Sequence, residues 1–266
     1  MDLVTARALI ELNNRFYADH AASFSATRDA AWDGWHGLVE ILRRRGWGRG
    51  AEAGARVLDL ACGNLRFERF LNDALPEVEA VFHAVDACAE LAGDGAAAPH
   101  VVFHRADVLQ ELLERKGAQR DTGTATLEGV PPCELSASFG FMHHVPGREM
   151  RRSIIDLLVD RTVPGGLIIV SFWQFMHDER LARKALTADE AMRARAPELA
   201  ARLDPDDHFL GWQSDTTPLR YCHHFDETEI DGLVASVGTG AREIARYSAD
   251  GASGTLNRYL VLERSA

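Results

Sequence analysis

The sequence predicts an α/β fold, a mostly parallel open sheet with helices on both faces, and three observations carry that expectation. Between Ala55 and Leu75 a short apolar run, Arg56-Val57-Leu58-Asp59-Leu60, stops at the small, turn-forming Ala61-Cys62-Gly63-Asn64. Phe67, Phe70, Leu71, Ala74 and Leu75 then recur at helical spacing as far as Pro76, which disfavours helical geometry in the residue before it. Two further apolar runs, Val81 to Val85 and Val101 to Arg105, end near acidic residues, Asp86 and Asp107. A Pro164-Gly165-Gly166 turn separates a helical stretch from another apolar strand, Leu167 to Phe172. Strand, tight turn and helix in succession build an open sheet whose ligand crevice lies at the carboxyl ends of the strands.

Taken in order, residues 1 to 50 read as a helical cap and 51 to 266 as the sheet domain. Leu3, Ala6, Leu9, Ile10 and Leu12 mark one helix; Trp32, Trp35, Leu38, Val39 and Leu42 mark a second. Phe16, Tyr17 and Phe24 between them are core candidates, whereas Arg28 is harder to bury and suits an anionic group. After the third strand, Asp107 is also a helix N-cap candidate before Leu109 to Leu113, and Glu114 to Val130 reads as an exposed loop. Leu135 to Phe141 is the fourth strand, followed by Met142-His143-His144-Val145-Pro146 and a helix with Met150, Ile154, Leu157 and Leu158 on one face. After the fifth strand, residues 177 to 219 form an Ala-, Arg- and Glu-rich helical insertion above the sheet's carboxyl edge. Asp226 caps a helix that ends at Gly238, and Arg242 to Tyr247 with Leu256 to Leu262 form an antiparallel pair that closes the sheet.

With 266 residues, 46% hydrophobic and 26% charged, the chain has the composition of a soluble globular protein with one substantial core. No apolar run is long enough for a bilayer span, and the first residues lack a signal-peptide core, so the expected location is cytoplasmic, with no membrane partner. Cys62, Cys88, Cys133 and Cys222 are far apart and form no Cys-x-x-Cys pair. A formal net charge of −11 opposes indiscriminate attraction to nucleic acid, although Arg43-Arg44-Arg45 is a local basic candidate.

The segment VLDLACGNLRF resembles the first motif of class I S-adenosylmethionine (SAM)-dependent methyltransferases, an acidic residue followed by a Gly-x-Gly-x-Gly loop. Asp59 and the middle glycine, Gly63, match; Ala61 and Leu65 stand where the outer glycines belong. The resemblance implies a Rossmann-like, mostly parallel seven-stranded sheet and SAM as cofactor, held by Asp59, Ala61, Cys62 and Gly63. Asp86 lies 23 positions after Gly63, the spacing at which an open nucleotide-binding sheet places its ribose ligand. The resemblance carries an adenine contact to Asp107 and extends the cofactor site to the flanking Ala87, Val108 and Phe139.

FSATRDAAW, HHVPGREMRR and RYCHHF are similar to segments of the tRNA methyltransferases that esterify the carboxymethyl group of wobble uridine. This likeness implies that Tyr17 and Arg28 close over the cofactor, that Arg220 and His223 meet the acceptor, and that an activating protein partner is conceivable. The expected function is methyl transfer to an acceptor that is a small molecule or tRNA. The alternatives are the tRNA ester reaction itself and a non-catalytic SAM-binding or protein-interaction module.

A carboxylate acceptor is already nucleophilic and needs no base; a hydroxyl or ammonium must lose a proton, which His144 or His143 could take. On an extended segment adjacent side chains face opposite ways, so at most one of the two faces the acceptor and the other is a hydrogen-bonded structural histidine. Arg148, Arg151, Arg152 and Arg220 predict an anionic acceptor carrying a carboxylate or phosphate. Neither His-His pair, at His143 or at His223, has metal-site spacing, so no metal is expected.

Overall fold

The two N-terminal amphipathic stretches form helices α1 (Leu3–Ala26) and α2 (Asp33–Arg45) in the computed structural model, which describes residues 1–26, 30–48, 54–118, 127–211 and 219–266. There follow β1 (Ala55–Leu60), α3 (Arg66–Ala74), β2 (Ala80–Asp86), the single turn α4 (Ala89–Ala92), β3 (Val101–Arg105), α5 (Val108–Gly117) and β4 (Cys133–Ser138). Then come α6 (Arg148–Asp160), β5 (Thr162–Trp173), α7 (Glu179–Arg195), α8 (Pro197–Ala200), β6 (Asp207–Gly211), β7 (Leu219–His223), α9 (Glu227–Val237), β8 (Ala241–Ala249) and β9 (Asn257–Arg264).

Seven strands form the main sheet in the order β3-β2-β1-β4-β5-β9-β8. β1 to β5 pair in parallel, and β9 runs antiparallel to both β5 and β8. The strand order reverses between β1 and β4, which is where such a sheet opens a crevice for ligands. Alternating side chains supply two cores. Leu58 and Leu60 face a layer containing Leu112, Ile154 and Leu233, whereas Val57 faces Trp35, Phe67 and Tyr259 on the other side. α1 packs across α4, α5 and β7 and so roofs the carboxyl edge. Among the described residues no helix is long and apolar enough to cross a membrane.

The structure differs from the sequence reading in five places. β4 ends at Ser138, not Phe141, and His143-His144 sit on a 3-10 turn, Met142–His144. β5 begins at Thr162, and a register shift between Cys133 and Leu135 absorbs Pro164-Gly165-Gly166 into the strand as an irregularity. The expected loop from Glu114 starts as the last turn of α5, and Leu127 and Val130 are buried in the core. The insertion after β5 is not wholly helical: β6 pairs antiparallel with β7 in a separate two-stranded sheet. Arg220 to His223 therefore form a strand, and not merely the approach to α9.

Candidate active site

The loop between β1 and α3 shapes the site. Ala61 (φ 64°), Gly63 (φ 56°) and Leu65 (φ 58°) all adopt the left-handed region, so the chain turns tightly and exposes backbone at the carboxyl end of β1. A Cβ added at Gly63 meets no atom within 4 Å, because that position opens onto a cavity of about 770 Å³. Tyr17, Asp59, Ala61, Cys62 and Gly63 border this cavity, and so do Asp86, Ala87, Asp107, Val108 and Phe139. These are the cofactor residues expected from the sequence, except Arg28, which lies outside the described residues.

Three carboxylates mark successive strand ends. Asp86 Oδ2 accepts the Gly63 N–H at 2.9 Å and Oδ1 the Cys88 N–H at 2.8 Å, and the Ala87 N–H also bonds this carboxylate, which borders the cavity. Burial raises the Asp86 pKa, against the lowering effect of those backbone bonds. Asp107 caps α5 by accepting the Gln110 N–H at 2.9 Å, and its other oxygen accepts from Asn14 Nδ2 at 2.6 Å. Asp107 is thus the helix cap that was the alternative to an adenine contact, and it also borders the larger cavity. Asp59 is buried against the carboxyl of Glu68 on α3, and apart from that carboxyl pairing Asp59 Oδ1 and both Glu68 oxygens have no hydrogen-bond partner among the described residues. Burial pushes Glu68 up to about 7, and burial together with Glu68 pushes Asp59 well above the carboxylate range. Glu68 was not singled out from sequence, although an acid three residues before Leu71 on a helix's apolar face was a signal.

A second cavity of about 330 Å³ adjoins the first. Tyr17, Trp32 and Gly140 border both; His143, Trp173 and Arg220 border the second. His144 borders only the first. On their 3-10 turn the two histidines do not point opposite ways: their rings lie 4.0 Å apart, centroid to centroid, with Trp173 4.8 Å from His143. His144 Nδ1 lies 2.9 Å from the Tyr221 carbonyl oxygen and Nε2 lies 2.7 Å from the Tyr17 hydroxyl. Asn13, also unforeseen, sits on the buried face of α1 between Ile10 and Phe16; its Oδ1 accepts the Tyr221 N–H at 2.8 Å and its Nδ2 donates to the Tyr221 carbonyl at 3.1 Å.

His223 does not reach either cavity. It is buried with Nδ1 2.7 Å from Asp207 Oδ1 and Nε2 2.6 Å from Glu229 Oε2, so its neighbours are structural carboxylates. The arginines also separate. Arg151 is buried against Glu229 and the Val145 carbonyl, and Arg152 bonds Ser236 O and pairs with Asp156. Of the four expected arginines, only Arg220 borders the second cavity, its guanidinium 5.1 Å from the centre of the Phe16 ring. Burial acts to lower its pKa, but Cys222 and Tyr17 hold it above the usual guanidinium value. His143, His144 and Cys222 offer ligand atoms within 4.8 Å of one another, a grouping the spacing did not suggest. The guanidinium beside Cys222 and the hydrogen bonds at both His144 nitrogens oppose a cation there.

Among solved structures the chain is similar to a SAM-dependent methyltransferase from Clostridium acetobutylicum, with a TM-score of 0.57 and 10% identity over 96% of this chain and 99% of that one. A SAM-dependent methyltransferase from Methanosarcina mazei matches with a TM-score of 0.56 and 14% identity, over 80% and 94% of the two chains. The fold is that of the SAM-dependent methyltransferases. This methyltransferase fold is shared with an amino pentose methyltransferase of calicheamicin biosynthesis from Micromonospora echinaspora, solved with SAM bound (TM-score 0.54, 13% identity, 92% and 95% covered). No protein-family profile and no curated sequence matches the chain.

Proposed function

We propose that the chain is a SAM-dependent methyltransferase that holds its cofactor in the larger cavity and its acceptor in the smaller. The observation that carries this reading is the pair of adjoining cavities at the sheet's carboxyl edge, with acidic residues at the ends of β1, β2 and β3 bordering the larger. The residues suit the cofactor: the open space beyond Gly63 admits a ligand against the backbone, and the buried Asp59–Glu68 carboxyl pair, with no basic partner bonded to it among the described residues, suits a cation. Asp86 would take the ribose hydroxyls and Asp107 with Val108 the adenine. Bound SAM supplies a methyl group on a cationic sulfur, open to in-line displacement by a lone pair. The chain's own part is to align that lone pair and exclude water, a role for the aromatic walls Trp32, Tyr17 and Trp173.

Arg220 in the second cavity favours an acceptor that is anionic where it reacts or is recognised. A tRNA acceptor has less support, because two of the three arginines in the basic run are tied to the protein itself: Arg43 bonds the Ala74 carbonyl and Arg45 pairs with Glu263. Calorimetry with SAM, followed by incubation with labelled SAM and fractionated extract, tests both halves. Label in metabolites supports a small acceptor; alkali-labile label in bulk tRNA supports the ester reaction, and no heat of SAM binding refutes the reading. Arg220→Ala should raise the acceptor KM more than that of SAM.

A further inference from the structure

If cofactor and acceptor occupy the two cavities, the reacting atoms meet where the cavities join. Three residues border both: Tyr17, Trp32 and Gly140. Of these only Tyr17 carries a group able to take and give a proton at an oxygen. Neither histidine borders both cavities. The Tyr17 hydroxyl lies 2.7 Å from His144 Nε2, and His144 Nδ1 lies 2.9 Å from the Tyr221 carbonyl oxygen. Nδ1 has two neighbours, the Tyr221 carbonyl at 2.9 Å, which can only accept, and Asn13 Nδ2 at 3.1 Å, which can only donate; the shorter contact favours a hydrogen on Nδ1, with Nε2 left to accept the Tyr17 O–H. Asn13 bonds both the N–H and the carbonyl of Tyr221, which fixes the backbone that orients the ring. With the hydrogen on Nδ1, a proton can leave the tyrosine toward Nε2.

We propose that Tyr17 is the catalytic residue that deprotonates the acceptor, with His144 as its proton sink, and that the acceptor is a weakly acidic hydroxyl compound of the phenol or enol type. The proposal rests on the methyltransferase reading and names the substrate class for the same site. The acceptor O–H gives its proton to the Tyr17 oxygen as the tyrosine's own proton passes to His144 Nε2. The freed acceptor lone pair forms the new O–CH3 bond, and the electrons of the broken S–CH3 bond remain on sulfur. Imidazolium at His144 keeps its Nδ1 hydrogen on the Tyr221 carbonyl and loses the extra proton to solvent after the product leaves. A carboxylate acceptor would leave this relay without work. An amine is opposed by Arg220, whose buried positive charge in the second cavity favours a developing oxyanion and interacts with Tyr17. Trp32, Trp173 and His143 give that cavity flat aromatic walls, which suit a planar ring.

The test uses the whole protein, SAM and a panel of phenols of graded acidity, with a benzoate and an aryl amine as controls. Tyr17→Phe, assayed at saturating SAM, is expected to slow transfer to weakly acidic phenols by roughly 10²–10⁴-fold, the span of general-base effects. It should lose far less with a nitrophenol that is already ionised, a rescue that a purely structural role does not produce. Nitrogen NMR of the resting protein is a readout apart from turnover: His144 should be protonated at Nδ1 and bare at Nε2, and the Nε2 signal should move in Tyr17→Phe. An Nε2-protonated His144, an equal loss with all phenols, or transfer to the benzoate or amine in preference to every phenol overturns the relay. Absence of SAM binding in the wild-type protein instead refutes the methyltransferase reading on which the relay rests.

Discussion

Leu65 shows how a departure from the expected motif is accommodated. It stands at the third glycine position with φ 58°, where a side chain costs about 1–2 kcal/mol, yet it is buried against Cys62, Ala84 and Ala92. Removing a buried leucine side chain costs about 2–5 kcal/mol, so burial outweighs strain. Leu65→Gly, although it restores the motif, should lower stability by about 1–3 kcal/mol in denaturant unfolding; a gain would show that strain dominates. Asp86→Ala should weaken SAM binding by about 1.5–3 kcal/mol in calorimetry without unfolding the chain, since it removes acceptors from the ligand and leaves Gly63 N–H to water. Asp59, Gly63, Asp86 and Asp107 were legible in the sequence because their positions follow from local strand ends. Glu68 and Asn13 were not, because what distinguishes them is a tertiary neighbour, and His223 was misplaced because the same pattern of residues serves a buried ion network.

That network holds the small sheet in place. His223 sits between Asp207 of β6 and Glu229 of α9, Tyr221 donates to the same Asp207 oxygen at 2.7 Å, and Arg151 of α6 donates to Glu229 at 2.8 Å. Edge N–H groups of the hairpin are also met by distant side chains, Phe209 N–H by Asp189 and Tyr221 N–H by Asn13. A two-stranded sheet is marginal alone, which is why these partners matter and why β6 could not be read from five residues with no clear alternation. Burial works to lower the His223 pKa, but bonds from Asp207 and Glu229 raise it above 6.5; burial works to raise Glu229, but His223 and Arg151 lower it below 4.5. The charged histidine's contribution is thus complete below 6.5 and lost as pH rises through its folded value, and the glutamate's is lost as pH falls through its own, so the network contributes most between 4.5 and 6.5. His223→Leu should cost about 3–5 kcal/mol near the top of that window, with a gap from wild type that narrows as pH rises. A gap independent of pH would show that only packing was lost.

The seven-stranded architecture was legible from apolar runs, punctuating glycines and strand-end acids, each a short-range signal; the packing of Glu68 on α3 against Asp59 of β1 was not. Asp59 at the end of β1 borders the larger cavity, where the strand order reverses, and Glu68 on α3 is buried against it. Because burial holds Glu68 up at about 7 instead of 4.5, the folded chain keeps a proton that the unfolded chain releases. By linkage, stability of the ligand-free protein must fall as pH rises from 4.5 toward 7, by an amount on the order of 3 kcal/mol for a shift of this size. A cation bound beside Asp59 reverses the sign, since it favours the ionised pair and expels the proton. SAM carries a positive sulfonium and ammonium against one carboxylate, so its binding should release protons and tighten with rising pH. The thermal stabilisation by a fixed SAM concentration should then be larger at about pH 8 than at about pH 5.5. Calorimetry in buffers of different ionisation heat should show proton release near neutrality, and Glu68→Gln should reduce both effects to the share that Asp59 contributes while leaving a SAM-binding fold. Equal stabilisation at the two pH values, or a release unchanged in Glu68→Gln, would place the proton elsewhere and leave Glu68 as a buried acid with no part in cofactor binding.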